Sequence, residues 1–260
     1  MFQNVISFIG AGKVASALCR ELYHHGSKID LIISPGKENG TKLAASCNAA
    51  WSPVPVIPES TGIVIVAVPD SKLPAILQEV KIAGGTLVAH TAGSQGLDIF
   101  PEHINRRGVF YPLQTFSEDR KIDFLSLPFL IESSDDKSSQ TLRYLAESMG
   151  AKVYLTDSER RRWLHLAAVF ACNFTNHMLT VGKDIAGRVG FEMDILEPLV
   201  KETITKALET GPENSQTGPA VRNDFVTIEK HLELLSFSPE LRKIYNDLTA
   251  MLINYYKNPG

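Results

Sequence analysis

The sequence predicts an α/β fold in which a doubly wound, mostly parallel sheet is followed by an all-helical C-terminal domain. Short runs rich in β-branched residues alternate with helical stretches as far as about residue 155. Several of these runs are apolar on both faces, as strands are when helices cover both sides of a sheet. After residue 156 the apolar residues recur with a helical period only. We therefore expect two domains, residues 1–156 and residues 157–260.

Seven strands are expected in the first domain. They are "NVISFIG", "KIDLIIS", "GIVIVAVP", "TLVAHT", "GVFYP", "LPFLIES" and "AKVYLT". The helical stretches between them include "KVASALCRELYHH", which ends at Gly26, and "SSQTLRYLAESM", which ends at Gly150. The second domain is expected to contain helices over residues 157–187, 192–210, 224–236 and 238–256.

Composition excludes several classes of protein. The 26 lysines and arginines against 29 acidic residues give a net charge of −3, so no basic surface for nucleic acid or an anionic membrane is expected. No apolar run approaches the roughly 18 residues that cross a bilayer, and no signal peptide is recognisable. The three cysteines form no CxxC pair, and their odd number argues against a disulfide framework. We expect reduced, buried thiols in a cytoplasmic protein.

A glycine-rich turn joins the first expected strand to the first expected helix and has the pattern GxGxxA. Gly10 would make the tight turn, Gly12 would let the backbone approach a pyrophosphate, and Ala15 would allow close helix packing. The helix N-terminus offers free N–H groups to the phosphates. The pattern predicts a Rossmann domain that binds a dinucleotide, with cofactor contacts from Gly10, Ala11, Gly12, Lys13 and Val14.

The end of the second strand favours NADP over NAD. An acidic residue there would bind the 2′-hydroxyl of NAD, but the sequence has Ser34 and, shortly after it, Lys37. A hydroxyl and an ammonium group suit a 2′-phosphate, which a carboxylate would repel.

Further candidates follow the later strands, because ligands of a doubly wound sheet collect beyond the carboxyl ends of its strands. Asp70 and Ser71 are interpreted as N-caps of the next helix. "AGSQG" is one letter from the GxSxG turn of hydrolases, but the helical second half lacks the context that a hydrolase needs. The expected contacts are Val68, Pro69 and His90 with the cofactor, and Thr91, Ser94 and Gln114 with a substrate. For His90, Thr91 and Ser94 the alternative is that their side chains are hydrogen-bonded within their own loop.

The second domain opens with the helix "WLHLAAVFACNFTNHM". At about 100° per residue, its apolar residues Leu166, Phe170, Phe174 and Met178 fall on one face, which we expect to be buried. A second face carries His165, Cys172, Asn173 and Asn176, and is either solvated or directed into a cleft.

A long irregular segment, "GPENSQTGPAVRND", separates two of the expected helices. Such loops are often functional, so Thr217 and Arg222 are candidate substrate contacts, although a plain loop in which Asp224 caps the next helix remains an alternative. No metal site is expected. His24 and His25 are adjacent, and His165 and His177 are too far apart along a helix to share an ion.

The chain resembles the Rossmann domain of pyrroline-5-carboxylate reductase and of the deazaflavin-dependent NADP oxidoreductases. Its second half is similar to a helical domain of unknown function related to the C-terminal domain of 6-phosphogluconate dehydrogenase-like enzymes. The matching stretches are "HTAGS", "FYPLQTF", "LHLAAVFACNFTNHM", "LEPLVKET" and "TGPAVRND". This resemblance implies an NADP-dependent oxidoreductase and a homodimer formed through the helical half.

In such an architecture the first helix of the second domain runs past the nicotinamide. His165 would then donate a proton, Asn173 would orient the substrate, and Asn176 would line the substrate cleft. The expected reaction is hydride transfer between NADP(H) and a small carbonyl, imine or hydroxy compound; a non-catalytic NADP-binding sensor is the alternative. The helices expected over 192–210 and 238–256 carry more apolar surface than four helices can bury, which also predicts a dimer.

Overall fold

The computed structural model describes residues 5–117, 120 and 122–257, and contains one eight-stranded sheet with the order β3-β2-β1-β4-β5-β6-β7-β8. Neighbouring strands are parallel except β6 and β7, which are antiparallel, so that β7 and β8 run against the other six. The strands are β1 Val5–Ile9, β2 Lys28–Ile33, β3 Ala50–Ser52, β4 Ile63–Val66, β5 Leu87–His90, β6 Arg106–Pro112, β7 Pro128–Ser133 and β8 Lys152–Leu155.

Helices cover both faces of this sheet, as the doubly wound prediction requires. The four helices are α1 Lys13–His24, α2 Lys37–Ser46, α3 Leu73–Glu79 and α4 Asp136–Ser148. One cluster of buried apolar side chains joins α1, α2 and α4 to the sheet, and a second joins α3 to it. Each cluster contains residues of the central strands β1 and β4, whose side chains alternate between the faces. The predicted fold class is confirmed.

All seven expected strands are present, and the eighth, β3, was not predicted. It has only three residues and pairs with β2 at the edge of the sheet. Such a segment is too short for the alternation of side chains to identify it.

Beyond β8 the described residues form no further strand. The helices are α5 Ser158–Ala168, α6 Thr175–Gly187, α7 Glu197–Thr210, α8 Pro212–Ser215, α9 Phe225–Leu234 and α10 Pro239–Lys257. Asp224 accepts a hydrogen bond from the Thr227 amide and caps α9, as the alternative interpretation of this loop proposed. Within the described part of the chain, no helix is both long and apolar enough to cross a membrane.

The helix expected over 157–187 is interrupted by a π-helical segment, Val169–Phe174, between α5 and α6. The assumed 100° per residue therefore fails at the segment that contains Asn173. The apolar face of this helix was expected to be buried, but in the single chain its residues Leu166, Phe170 and Phe174 are exposed. That expectation was wrong for the single chain. Cys172 is likewise exposed, whereas Cys19 and Cys47 are buried as expected.

The chain divides into two compact units, one that ends at Asn176 and one that begins at His177. The change from strands to helices comes earlier, between Leu155 at the end of β8 and Ser158 at the start of α5. The first unit therefore includes α5 and the π-helical segment together with the sheet. The domain boundary after residue 156 stays a prediction.

Candidate functional site

The loop between β1 and α1 has the shape that a pyrophosphate requires. Gly10 has φ +114°, and a Cβ there would lie 2.1 Å from the Ala67 carbonyl oxygen, so only glycine fits. Gly12 is different, because a Cβ at this position would meet no protein atom within 4 Å. The loop is therefore held against β4 at Gly10 and open to a ligand at Gly12.

The N-terminus of α1 is free to bind phosphate. Gly12 is its N-cap residue and supplies no side-chain hydrogen bond to the first turn. Lys13 is the first residue of the helix and is exposed, which adds a positive charge beside the N–H groups. These groups fit the pyrophosphate of a dinucleotide, and the cofactor would supply the hydride that a reduction needs.

A cavity of about 580 Å³ extends from this loop along α1 and is also lined by residues of α2. Among its fifteen lining residues, the lysines, arginines and acidic residues are Lys13, Arg20 and Glu21 of α1, Lys42 of α2 and Arg120. Four of these five side chains are cationic, and Glu21 pairs with His25 at 3.2 Å. The surface next to the glycine loop is therefore positively charged, which favours an anionic ligand.

The two residues expected at the 2′-phosphate differ in their placement. Lys37 begins α2 and is exposed, so its ammonium group is available. Ser34 is buried; its hydroxyl donates to the Gly36 carbonyl at 3.0 Å and accepts from Trp51 Nε1 at 3.3 Å. These bonds shape the turn into α2 instead of leaving the hydroxyl free for a phosphate.

His90, at the end of β5, has a structural role in this chain. Its ring is fully buried; Nδ1 accepts from the Ala92 amide at 3.2 Å, and Nε2 donates to the Gly96 carbonyl at 3.4 Å. Burial lowers the pKa of His90 to about 4, so the ring is neutral at neutral pH. The expectation that the His90 side chain contacts the cofactor is not supported, because both ring nitrogens are hydrogen-bonded within the protein.

Two other expected cofactor contacts, Val68 and Pro69, directly follow the end of β4. Val68 lies next to Gly10 and is half-buried, and Pro69 is exposed.

A hydrogen-bonded pair, Tyr111 and His165, forms the centre of the candidate site. Tyr111 lies near the end of β6, His165 lies on α5, and the tyrosine hydroxyl is 3.0 Å from His165 Nδ1. Burial and the charge of Asp70 raise the pKa of Tyr111, so its hydroxyl keeps its proton. A Cβ on Gly93 would lie 2.7 Å from the tyrosine ring and 2.8 Å from His165 Nδ1. Glycine at this position allows the loop after β5 to lie against the pair.

Ser94 follows this glycine and donates a hydrogen bond to the Asp70 carboxylate. Asp70 comes from the segment after β4. Neither Asp70 nor Ser71 caps α3, whose N-cap residue is Lys72, which corrects the interpretation of both as N-caps. The Gln95 amide donates to the Ser94 hydroxyl at 3.3 Å. The Ser94–Asp70 hydrogen bond thus joins the loops after β4 and β5. The backbone of Thr91 adds a second link, because its amide donates to the Val66 carbonyl at 3.1 Å.

Two arginines of α5 hold the loop after β5. Arg161 is fully buried and forms an ion pair with Glu132 of β7 at 2.5 Å; it also donates to the Gln95 carbonyl. Arg162 donates to the Ser94 carbonyl at 3.1 Å. Arg161 and His165 are four residues apart and so share a face of α5. The helix that carries His165 is therefore fixed to the loop that His165 contacts.

The other expected substrate contacts lie on other segments of the chain. Asn173 is in the exposed π-helical segment, and Asn176 is exposed at the end of the first unit. Gln114 is exposed, and its carbonyl oxygen accepts from the Thr115 amide at 2.8 Å. Thr217 and Arg222 are in the second unit. Among the described residues, no group of three histidine, cysteine or acidic side chains could hold a metal ion.

Sequence reasoning missed Tyr111 and Arg161. The sequence places Tyr111 at the end of a strand, but the polar candidate that it indicates in this segment is Gln114. Arg161 lies in the run "RRR", which has the appearance of a solvated helix face. The spacing of four residues between Arg161 and His165 was the one local signal that linked them.

Two sequence families match parts of the chain. One, described as NADP oxidoreductase coenzyme F420-dependent, matches residues 5–93, and a domain of unknown function, DUF2520, matches residues 127–252. A crystal structure of a "putative NADP oxidoreductase" from Bacteroides fragilis is similar over 98% of this chain and 100% of its own, with 34% identity and a TM-score of 0.88. Among curated protein sequences, none matches this chain.

More distant structures share the fold alone. An imine reductase from Myxococcus stipitatus, in complex with NADP+, is 16% identical over 97% of this chain and 93% of its own, with a TM-score of 0.64. A pyrroline carboxylate reductase from Plasmodium falciparum, with NADP bound, is 12% identical over 98% of this chain and 99% of its own, with a TM-score of 0.63.

The fold and the glycine loop define a dinucleotide-binding oxidoreductase. The chain belongs to the family of NADP oxidoreductases that combine this Rossmann-type domain with the DUF2520 domain, and its cofactor is NADP. The resemblance stated from the sequence is confirmed.

Proposed function

We propose that this protein transfers hydride between NADP(H) and a small carbonyl, imine or hydroxy compound, with His165 as the proton donor in the direction of reduction. The hydrogen bond between Tyr111 and His165 carries this proposal. It gives a histidine a defined orientation beside the loop after β5, at the edge of the sheet where ligands of such folds collect.

The chemistry follows from the atoms of this pair. When a carbon accepts hydride, negative charge develops on the attached oxygen or nitrogen, and a proton must reach that atom. If the Tyr111 hydroxyl donates to His165 Nδ1, the imidazole carries its own proton on Nε2. Tyr111 then selects the tautomer of the neutral ring and fixes its orientation. The acid that donates is the ring protonated on both nitrogens, in which Nδ1–H donates to the Tyr111 oxygen and Nε2–H faces the substrate, so that transfer of the Nε2 proton leaves a neutral imidazole. Asn173 and Asn176 remain proposed substrate contacts, as do Thr91, Ser94, Gln114, Thr217 and Arg222.

The cofactor contacts are also part of the proposal. Gly10, Ala11, Gly12, Lys13 and Val14 would hold the pyrophosphate, Lys37 would bind the 2′-phosphate, and Val68 and Pro69 would lie along the cofactor. The open space at Gly12 and the exposed Lys37 support these assignments. We assign Ser34 and His90 to the support of the neighbouring loops.

We further propose a cytoplasmic homodimer formed through the helical half. Many apolar side chains of residues 177–257 are exposed in the single chain, which is the surface that a second copy would cover. This applies to Leu208, Leu234 and Met251, which are 83%, 73% and 64% exposed.

The test is an NADPH-oxidation screen over ketones, aldehydes, imines and a deazaflavin of the F420 class, with wild type and His165→Ala side by side. We expect turnover on at least one class and a loss of about 10²- to 10⁴-fold in the variant, the usual range for general acid catalysis. NADPH affinity should not change. Tight NADPH binding without turnover on every class would favour the sensor instead.

A further inference from the structure

Two cysteines that the proposed reaction does not use are in direct contact. Cys19 of α1 and Cys47, which follows the last residue of α2, are both fully buried, and their sulfur atoms are 3.2 Å apart. They are 28 residues apart in the sequence, and the S–H group of Cys19 donates to Cys47 Sγ. The sequence predicted buried thiols but gave no sign that these two meet.

The surroundings of Cys47 favour its thiolate. Ser46 places its hydroxyl 3.6 Å from Cys47 Sγ, and Arg20 Nε donates to the same hydroxyl at 3.4 Å. The hydrogen bond from Cys19 lowers the pKa of Cys47 to about 7, with help from Ser46 and Arg20 and against the effect of burial. The hydrogen bond to Cys47 and burial raise the pKa of Cys19, which keeps its proton. Cys47 is thus suited to attack an oxidant, and Cys19 is placed to attack the oxidised Cys47 sulfur afterwards.

We propose that Cys19 and Cys47 form a modification site at which a hydroperoxide produces a reversible disulfide between α1 and α2. The Cys47 sulfur attacks one peroxide oxygen, the O–O bond breaks, and Cys47 becomes a sulfenic acid while the leaving oxygen takes a proton. The Cys19 sulfur then attacks Cys47 Sγ, the S–S bond forms, the S–O bond breaks, and hydroxide leaves with the Cys19 proton as water. The two thiols lose two electrons, which reduce the hydroperoxide.

The geometry permits this bond after a small movement. A disulfide has an S–S distance of about 2.0 Å, so the two sulfurs must approach by roughly 1.2 Å. Cys47 is placed for this movement, because it lies at the end of α2 and is followed by Asn48 with φ 50°. Helix ends open locally at little cost in free energy, and the adjacent Ser46 is exposed, which gives the oxidant a route.

The bond would link the two helices on which the proposed cofactor contacts begin. Lys13 is the first residue of α1, and Lys37 is the first residue of α2. A disulfide between the helices would restrict their relative movement. The site itself, however, depends on the two sulfur atoms alone and does not require the proposed reaction.

The experiment treats folded Cys172→Ser protein with hydrogen peroxide, unfolds it, alkylates the remaining thiols and measures the mass. We expect a loss of two hydrogens, no alkylation, a linked peptide that contains Cys19 and Cys47, and full reversal by dithiothreitol. Wild type is the control for the oxidant, because its exposed Cys172 is accessible. Cys19→Ser should instead retain a sulfenic acid on Cys47 that dimedone traps.

Three results would overturn the proposal. The pair could remain fully alkylatable under conditions that oxidise Cys172 in the wild type. Cys47 could proceed to sulfinic acid without a linked peptide. The disulfide could also form as fast in urea-unfolded protein as in folded protein, whereas we expect formation at least about tenfold slower once the native contact is lost.

Discussion

The sheet-containing unit and the helical unit of this chain differ in how they bury their apolar residues. The first has two clusters of buried side chains that fill both faces of the sheet. Among the described residues of the second, only Ala220, Ile228, Leu235 and Thr249 are buried. One unit has its own core, and the other has helices whose apolar faces are largely uncovered.

This difference separates two sources of stability. A sheet covered on both sides removes its apolar residues from water within one chain, at about 25 cal/mol per Å² of buried area. The helices of residues 177–257 obtain little of this stabilisation alone. Burial between two copies would supply it, which is why the homodimer is proposed through this unit.

The largest effect is expected when a charge is placed on an exposed apolar face of the helical unit. Leu208→Glu on α7 should shift the protein from dimer to monomer and raise the dissociation constant at least about 10³-fold, because each of two copies would bury an unpaired carboxylate. Light scattering at micromolar concentration measures the mass.

The matched control for this substitution is Tyr144→Glu. Tyr144 is also exposed on a helix, but α4 belongs to the unit that has its own core. This variant should keep the wild-type mass. A monomeric wild type, or equal dissociation of the two variants, would remove the difference between the units.

The second prediction concerns the glycine loop of the sheet unit. Gly12→Val should lower NADPH affinity by about 10²-fold and leave the dimer intact, because the added side chain occupies space needed by the pyrophosphate and no protein atom lies within 4 Å of its Cβ. Fluorescence titration measures the affinity.

Gly84→Val controls for the change of residue type. A Cβ at Gly84 also meets nothing within 4 Å, but Gly84 precedes β5 and so lies at the opposite end of the parallel strands from Gly12. The NADPH affinity of Gly84→Val should match that of the wild type. If the two valine variants weaken binding equally, the cofactor is not at the glycine loop.

Within the sheet-containing unit, the accuracy of the sequence predictions depends on whether the signal is local. The seven strands and the glycine turn were recognisable because their signals are local: β-branched runs, breakers and a motif of fixed spacing. Tyr111 and Arg161 were missed because their roles depend on partners 54 and 29 residues away, His165 and Glu132. A polar residue at a strand end, such as His90, is compatible with a ligand contact or with hydrogen bonds inside its own loop. The bonds of its ring to the Ala92 amide and the Gly96 carbonyl become visible only in the structure. The π-helical segment has no periodic signature.

The third prediction tests the buried His90 in the core of the sheet unit. Its pKa of about 4 lies below the ordinary value of 6.5, so below pH 6.5 the unfolded chain binds a proton that the folded chain does not. This histidine should therefore lower the free energy of unfolding by about 2 kcal/mol from about pH 7.5 to about pH 5. Urea unfolding at the two pH values measures the difference.

His90→Gln should be less stable than the wild type at neutral pH, because it loses the native ring contacts, but its stability should fall less on acidification. His24→Gln, at an exposed position of α1, should keep the wild-type dependence on pH. A pH dependence that is unchanged in His90→Gln would show that other groups cause the acid sensitivity.

The smallest effect is expected at Tyr111, the residue through which β6 contacts α5. Tyr111→Phe removes one hydrogen bond to His165 and retains the aromatic ring. Turnover should therefore fall by about tenfold, the value of one hydrogen bond, while NADPH affinity and the mass of the dimer should not change.

The same substitution can be tested without a substrate, by the ¹⁵N NMR spectrum of the histidine rings. In the wild type the His165 signals should report a proton on Nε2, and in Tyr111→Phe they should move towards a mixture of tautomers. Tyr144→Phe, at an exposed tyrosine of α4, should leave these signals unchanged. If Tyr111→Phe also leaves them unchanged, the tyrosine does not select the tautomer, and His165 would have to be oriented by Gly93 and α5 alone.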